Sequence, residues 1–118
     1  KGEMIIYFSY ERMGDYFLSE YLLEKYRNVD KRDLVTKLQS DEQVTRYFQK
    51  EDDLSYNRGL INELFIKLAN EFNIELFEVF PQFKNNYNMI YSFINSLVWR
   101  KDGSISKHTK CYISDNVI

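Results

Sequence analysis

Cysteine, proline, glycine and alanine are all scarce in this chain of 118 residues, and each shortage excludes something. The single cysteine, Cys111, rules out an internal disulfide and fits a reducing, cytosolic setting. One proline and four glycines speak against a turn-rich all-β fold. The glycines are dispersed at 2, 14, 59 and 103, and no Gly-Lys-Ser/Thr triplet exists, so the chain holds no phosphate-cradling P-loop. No apolar run approaches the ~20 residues of a membrane span. Lys1-Gly2-Glu3 precede no apolar stretch ending in small residues, so no signal peptide is expected. Sixteen basic and eighteen acidic residues leave a formal charge of -2, without the basic stripe of a nucleic-acid grip.

Large rings are abundant instead. Ten Tyr and nine Phe stand against one Ala, within a hydrophobic fraction of 44%. That is ample for one packed core, of which Tyr can form the edge while keeping its hydroxyl wet.

The stretch Met4-Ile5-Ile6-Tyr7-Phe8 suits a short buried strand over residues 3–8. It leads into a helix from about Tyr10 to Arg27, in which Met13, Phe17 and Tyr21, flanked by Leu18 and Leu22, form a core-facing stripe. A strand feeding straight into a helix at the chain start suggests a piece of something larger. Asp30 is a plausible N-cap for a helix through Gln39 with Leu34, Val35 and Leu38 inward. Ser40 and Gln43 fit a capping box before Val44, Tyr47 and Phe48. Glu51-Asp52-Asp53 reads as a loop.

The clearest amphipathic helix spans Tyr56 to Phe72. Leu60, Ile61, Leu64, Phe65, Leu68 and Phe72 lie on one face, with Asn62, Glu63, Lys67 and Asn70 opposite. Asn73 stops it, and Pro81 breaks the short segment that follows. Tyr87 to Val98 forms another helix, with Tyr87, Ile90, Tyr91, Ile94, Leu97 and Val98 on its apolar side. Asp102-Gly103 is a turn, and residues 104–118 are expected to begin a helix whose packing partner lies beyond Ile118. The fold class expected is mainly α: a helical bundle or helical-repeat-like segment with a small β element at the N-terminus.

Candidate chemistry is sparse. Asp52-Asp53 lacks the apolar strand that precedes paired acids in nucleotide hydrolases. His108 and Cys111 could share a helical face, but a structural zinc needs four ligands and no other Cys or His exists. Neither has an orienting third group for nucleophilic work. Asp41/Glu42 and Glu75/Glu78 read as helix-surface charges near N-termini. Arg46, Lys50, Arg58 and Lys67 are interspersed with acids and build no groove. Tyr87, Tyr91 and Phe93 at helical spacing are core or interface rather than a base-stacking platform. Glu11-Arg12 and Trp99-Arg100 flank apolar stripes. A buried Arg needs a carboxylate or several carbonyls, so these are a local ion pair (Asp15 with Arg12) or a domain-interface clamp.

Three stretches carry a family resemblance. They are Phe8-Ser9-Tyr10-Glu11-Arg12-Met13-Gly14-Asp15 followed by Leu22-Leu23; Gly59-Leu60-Ile61-Asn62-Glu63-Leu64 followed by Glu75-Leu76; and Ser96-Leu97-Val98-Trp99-Arg100. In this order they resemble the region after the ATPase core in STAND NTPases, the NACHT-containing signalling class, and most of all its bacterial antiviral (AVAST-type) branch. The resemblance implies that residues 1–28 end a winged-helix-like region. Residues 29–118 would then be a helical linker domain leading towards a sensor. It implies a parent that binds ATP and magnesium and oligomerises on sensing a phage protein, with the chemistry upstream of Lys1. A phosphate-contacting His of animal relatives corresponds here to Tyr10, a departure that leaves Tyr10 as a nucleotide-adjacent candidate. Glu11, Arg12, Asp15, Trp99 and Arg100 are the interface or structural candidates.

The expected function is thus a non-catalytic, cytoplasmic connector between an ATPase core and a sensor, with neighbouring domains of the parent as partners. The alternative is an independent helical protein–protein interaction module docking its partner on the Tyr87–Trp99 face. DNA binding by a winged-helix remnant is a weaker third reading, against which the acidic balance speaks.

Overall fold

The computed structural model describes the backbone of residues 2–101 and 107–116, and the side chains of 13–30, 32–101 and 109–115. Its helices are α1 (Gly2–Leu23), α2 (Lys31–Ser40), α3 (Glu42–Thr45), α4 (Glu51–Tyr56), α5 (Arg58–Lys67), α6 (Leu76–Val79), α7 (Tyr87–Ser96) and α8 (Lys107–Asn116). The fold is mainly α, as the composition implies, and no strand occurs among the described residues. The expected N-terminal strand is replaced by the first turns of α1. An apolar run such as Ile5-Ile6-Tyr7-Phe8 is compatible with either state. No proline or glycine separates it from the helical pattern that follows, so propagating the helix adds one hydrogen bond per residue.

Helix α5 is the axis of the molecule, with α1 and α7 both packed along it. It is therefore buried on more than one side. Leu60, Ile61, Leu64 and Phe65 are inward as the periodicity predicts, but Glu63 and Lys67, expected on the solvent face, are also buried. Asn57 interrupts the expected Tyr56–Phe72 helix at its start, and a π-helical turn over Leu68–Phe72 completes it. Asn73 ends it in the left-handed conformation at φ 60°, which Asn tolerates better than most residues.

Local chemistry sets most other boundaries. The Asp30 carboxylate accepts from the Arg32 N–H at 3.0 Å and starts α2, with Leu34 and Leu38 buried. The next cap is Asp41, not Ser40. Its carboxylate accepts from Gln43 N–H at 2.9 Å, while the Ser40 hydroxyl folds back on the Thr36 and Lys37 carbonyls. Glu51-Asp52-Asp53, expected as loop, is the first turn of α4. Three acids suit a helix N-terminus, and Asp53 accepts from the Gln49 and Lys50 N–H groups.

The core is a continuous aromatic and aliphatic cluster running from Leu22 to Tyr112. Phe65 and Phe77 meet the Phe93 ring edge-on at 5.9 and 6.0 Å, and Tyr112 of α8 stacks on Phe77 at 4.1 Å. The packing partner of α8 thus lies within this chain. The turn at 27–30 separates residues that share this one core: Leu22, Leu23 and Tyr26 pack in the same cluster as Leu34 and Phe93. Asp102-Gly103 lies outside the described residues.

Candidate functional site: two outward apolar stripes and the charge clusters behind them

On α1 the stripe Met13, Phe17, Tyr21 faces solvent, with Phe17 and Tyr21 each 61% exposed. This reverses the expected orientation. The helix carries two neighbouring apolar stripes, and the one that enters the core is Leu18, Leu22, Leu23 and Tyr26. A fixed charge cluster sets this choice. Lys67 of α5, 5% exposed, pairs with Glu20 and lies 3.6 Å from the centre of the Tyr16 ring. Arg27 donates to the other Glu20 oxygen and reaches Glu71 at 3.7 Å. The Lys67 hydrogen bond, more than the added charge of Arg27, holds the Glu20 carboxyl below its ordinary value of 4.5. One turn earlier, Asp15 sits over Gly59, where any Cβ would collide with its carboxylate. Gly59 is where the Asp15 side chain of α1 reaches the α5 backbone.

A second stripe lies on α7 and the 3-10 turn Leu97–Trp99 that extends it. Asn86 caps the helix, its side-chain oxygen accepting from Asn88 N–H at 2.8 Å. Met89, Ser92, Phe93 and Ser96 face inward. Tyr87, Tyr91, Ile94, Val98 and Trp99 face outward, Tyr87 at 75% and Val98 at 80% exposure. The Tyr87 and Tyr91 rings stack at 6.2 Å, and the Arg58 guanidinium lies over Tyr91 at 5.6 Å. The Trp99 carbonyl accepts from the Asn70 amide at 3.1 Å, and Asn70 in turn accepts from Lys101 N–H at 2.7 Å.

Immediately after this stripe the chain turns inward at Arg100. Its guanidinium forks onto Glu75 (Nη2 to Oε1 at 2.6 Å, Nη1 to Oε2), and both side chains are 2% exposed. Ser96 Oγ accepts from Nη2 at 3.2 Å, and Phe93 lies under the guanidinium at 5.0 Å. The Thr109 hydroxyl of α8 donates to the same Glu75 carboxylate. Glu75 is therefore not the surface charge its place before a helix suggests. It is the hub tying the end of α7, the start of α6 and α8. Tyr112 adds to this closure by donating to the Lys84 carbonyl at 2.8 Å. Burial, with the Glu75 charge behind it, pushes its phenol up to about 12.

Of the sequence candidates, the Arg100 side chain is thus placed inside the molecule, Asp15 half-buried against Gly59, and Trp99 on the outer stripe. The backbone of Tyr10, Glu11 and Arg12 lies in α1, and their side chains are outside the described residues, as is that of His108. Cys111 is exposed. Among the described residues, no group of three His, Cys, Asp or Glu side chains converges to hold a metal ion. No helix among them is long and apolar enough to cross a membrane. No family model, curated protein or solved structure matches the chain. Glu75, Lys67 and Thr109 were not singled out by pattern as core groups. The available signal was a charge set directly between apolar neighbours, as in Ile74-Glu75-Leu76 and Ile66-Lys67-Leu68.

Proposed function

We propose that this chain is a non-catalytic helical connector of a STAND-type signalling or antiviral NTPase, coupling an ATPase core to a sensor. The observation that carries the reading is the pair of outward apolar stripes on α1 and α7, both packed against one central helix. Stripes of large rings in solvent mark contact surfaces. The half-buried Lys67–Glu20 pair and the buried Arg100–Glu75 fork tie the body between the stripes together so that it can transmit a displacement. In this reading ATP and magnesium belong to the parent's core, with Tyr10 as the position nearest the nucleotide. The stripe on α1 meets a neighbouring domain, in a cytoplasmic assembly without membrane or nucleic-acid contact. Calorimetric titration of the isolated chain with Mg-ATP tests it: no binding heat and no hydrolysis are expected, and turnover of ATP would overturn it.

A second reading, an independent protein-interaction module, is favoured by the closure of α8 onto Phe77, Phe93 and Glu75, which completes the core within the chain.

A further inference from the structure

We propose that the outward face of α7 pairs two copies of this chain about a two-fold axis, with the two α7 helices antiparallel. The proposal rests on reading that face as a protein contact and names what covers it. Tyr87, Tyr91, Ile94 and Val98 follow one another at intervals of four, three and four residues. That alternation is the seam of a helix-to-helix coiled contact. The intervals read the same in both directions, so an antiparallel copy sets Tyr87 against the partner's Val98 and Tyr91 against the partner's Ile94. A two-fold contact demands this kind of self-complementarity.

Charge selects the same face. From Tyr87 to Trp99 there is no Asp, Glu, Lys or Arg, and the residues flanking the seam on one side are Asn88 and Asn95. The charge a second copy brings to the seam is the Arg58 guanidinium, which already lies over the Tyr91 ring face at 5.6 Å and donates to Asn88 at 3.2 Å. The α1 stripe is more heavily charged, with Asp15, Glu20 and Glu24 bordering it. Area is also sufficient. The exposed fractions of the five outward residues leave roughly 600 Å² of mostly ring surface per copy. Complete coverage by a second copy would bury at most roughly 1,200 Å², the lower end of the range for specific interfaces. The Arg100–Glu75 clamp fixes the Trp99 end of the seam, and the Asn86 cap fixes the Tyr87 end, so little ordering is needed on pairing.

Sedimentation velocity from micromolar to submillimolar concentration tests this. The wild-type chain should pass from a 14.3 kDa species to twice that mass. Val98→Lys should raise the dissociation constant about tenfold or more, with unchanged helical circular dichroism; Ile94→Lys serves as a second variant. Orientation is read by cross-linking in a Cys111→Ser background. Chains with Tyr87→Cys mixed with chains carrying Val98→Cys should form a disulfide. Neither should link to its own kind, because the antiparallel pairing holds like residues about 16 Å apart. A wild-type chain that stays monomeric throughout, dimerisation indifferent to Val98→Lys, or Val98→Cys linking to itself each overturns the pairing. A monomer that still binds no Mg-ATP overturns the pairing alone and leaves the connector reading standing.

Discussion

Removing the guanidinium of Arg100 is the perturbation that interrogates the fold most sharply. In the native chain Glu75 is a fully buried carboxylate held by the Arg100 fork and by the Thr109 hydroxyl. Arg100→Met fills much of the same volume but leaves that charge without its counter-ion. Breaking one side of a buried pair costs about 3–5 kcal/mol. For a chain of this size that corresponds to a melting temperature lower by roughly 10–20 °C. Arg100→Lys keeps the charge but loses the planar fork and the Ser96 contact, and should lie between, at about 1–3 kcal/mol. Replacing the charged pair together with its hydroxyl partner, as in Arg100→Met with Glu75→Leu and Thr109→Val, leaves no unpaired charge, and the buried Ser96 hydroxyl keeps its bond to the Phe93 carbonyl at 2.6 Å. This triple replacement should recover most of the loss, because a well-packed apolar substitute for a buried pair is often neutral. Urea unfolding followed by far-ultraviolet circular dichroism gives each value. If Arg100→Met shifts stability by less than about 1 kcal/mol, the pair is not desolvated as described and the reasoning fails.

Three further outcomes follow from single positions. Gly14 lies within α1 on an exposed turn, and an added Cβ meets nothing within 4 Å, so Gly14→Ala should stabilise by about 0.5–1 kcal/mol in thermal unfolding. Ser92 is buried on the inner face of α7, and its hydroxyl has no hydrogen-bond partner among the described residues. Ser92→Ala should therefore be neutral or raise the urea midpoint by up to about 1 kcal/mol in stability. Glu20 has its pKa lowered by the Lys67 hydrogen bond, so its contribution is complete above its ordinary 4.5 and is lost as pH falls through the lower folded-state value. Stability measured from pH 7 downward should fall less steeply in Glu20→Gln than in the wild type over that window.

Much of the secondary structure was legible because it rests on local chemistry. Asp30 caps through its own carboxylate and Asn73 accepts a left-handed backbone, both of which depend on neighbours in sequence. What periodicity could not decide was which of two adjacent apolar stripes on α1 enters the core. That choice is made by α5, where Gly59 makes room for the Asp15 side chain and Lys67 awaits Glu20, and both partners lie more than forty residues downstream. The same limit hid Glu75. A Glu before a helix is normally a solvated cap, and only the arrival of Arg100 and Thr109 from later in the chain turns it into a core residue. The strand expected at residues 3–8 failed for a different reason, since a five-residue apolar run carries no period of its own. The outward placement of Tyr87, Tyr91 and Val98 was open in the pattern too. The sequence marked them as apolar, and only the packing of Met89 and Phe93 on the opposite side shows which way they point.

Hydroxyl-radical footprinting addresses the connector claim most directly. In the isolated chain at low concentration, Met13, Phe17 and Tyr21 should be oxidised readily while Met89 and Phe93 stay protected, as their exposures dictate. In the parent protein with its flanking regions restored, the account predicts that labelling of Met13, Phe17 and Tyr21 is largely lost under a neighbouring domain. Equal labelling of those three side chains in both forms would contradict it.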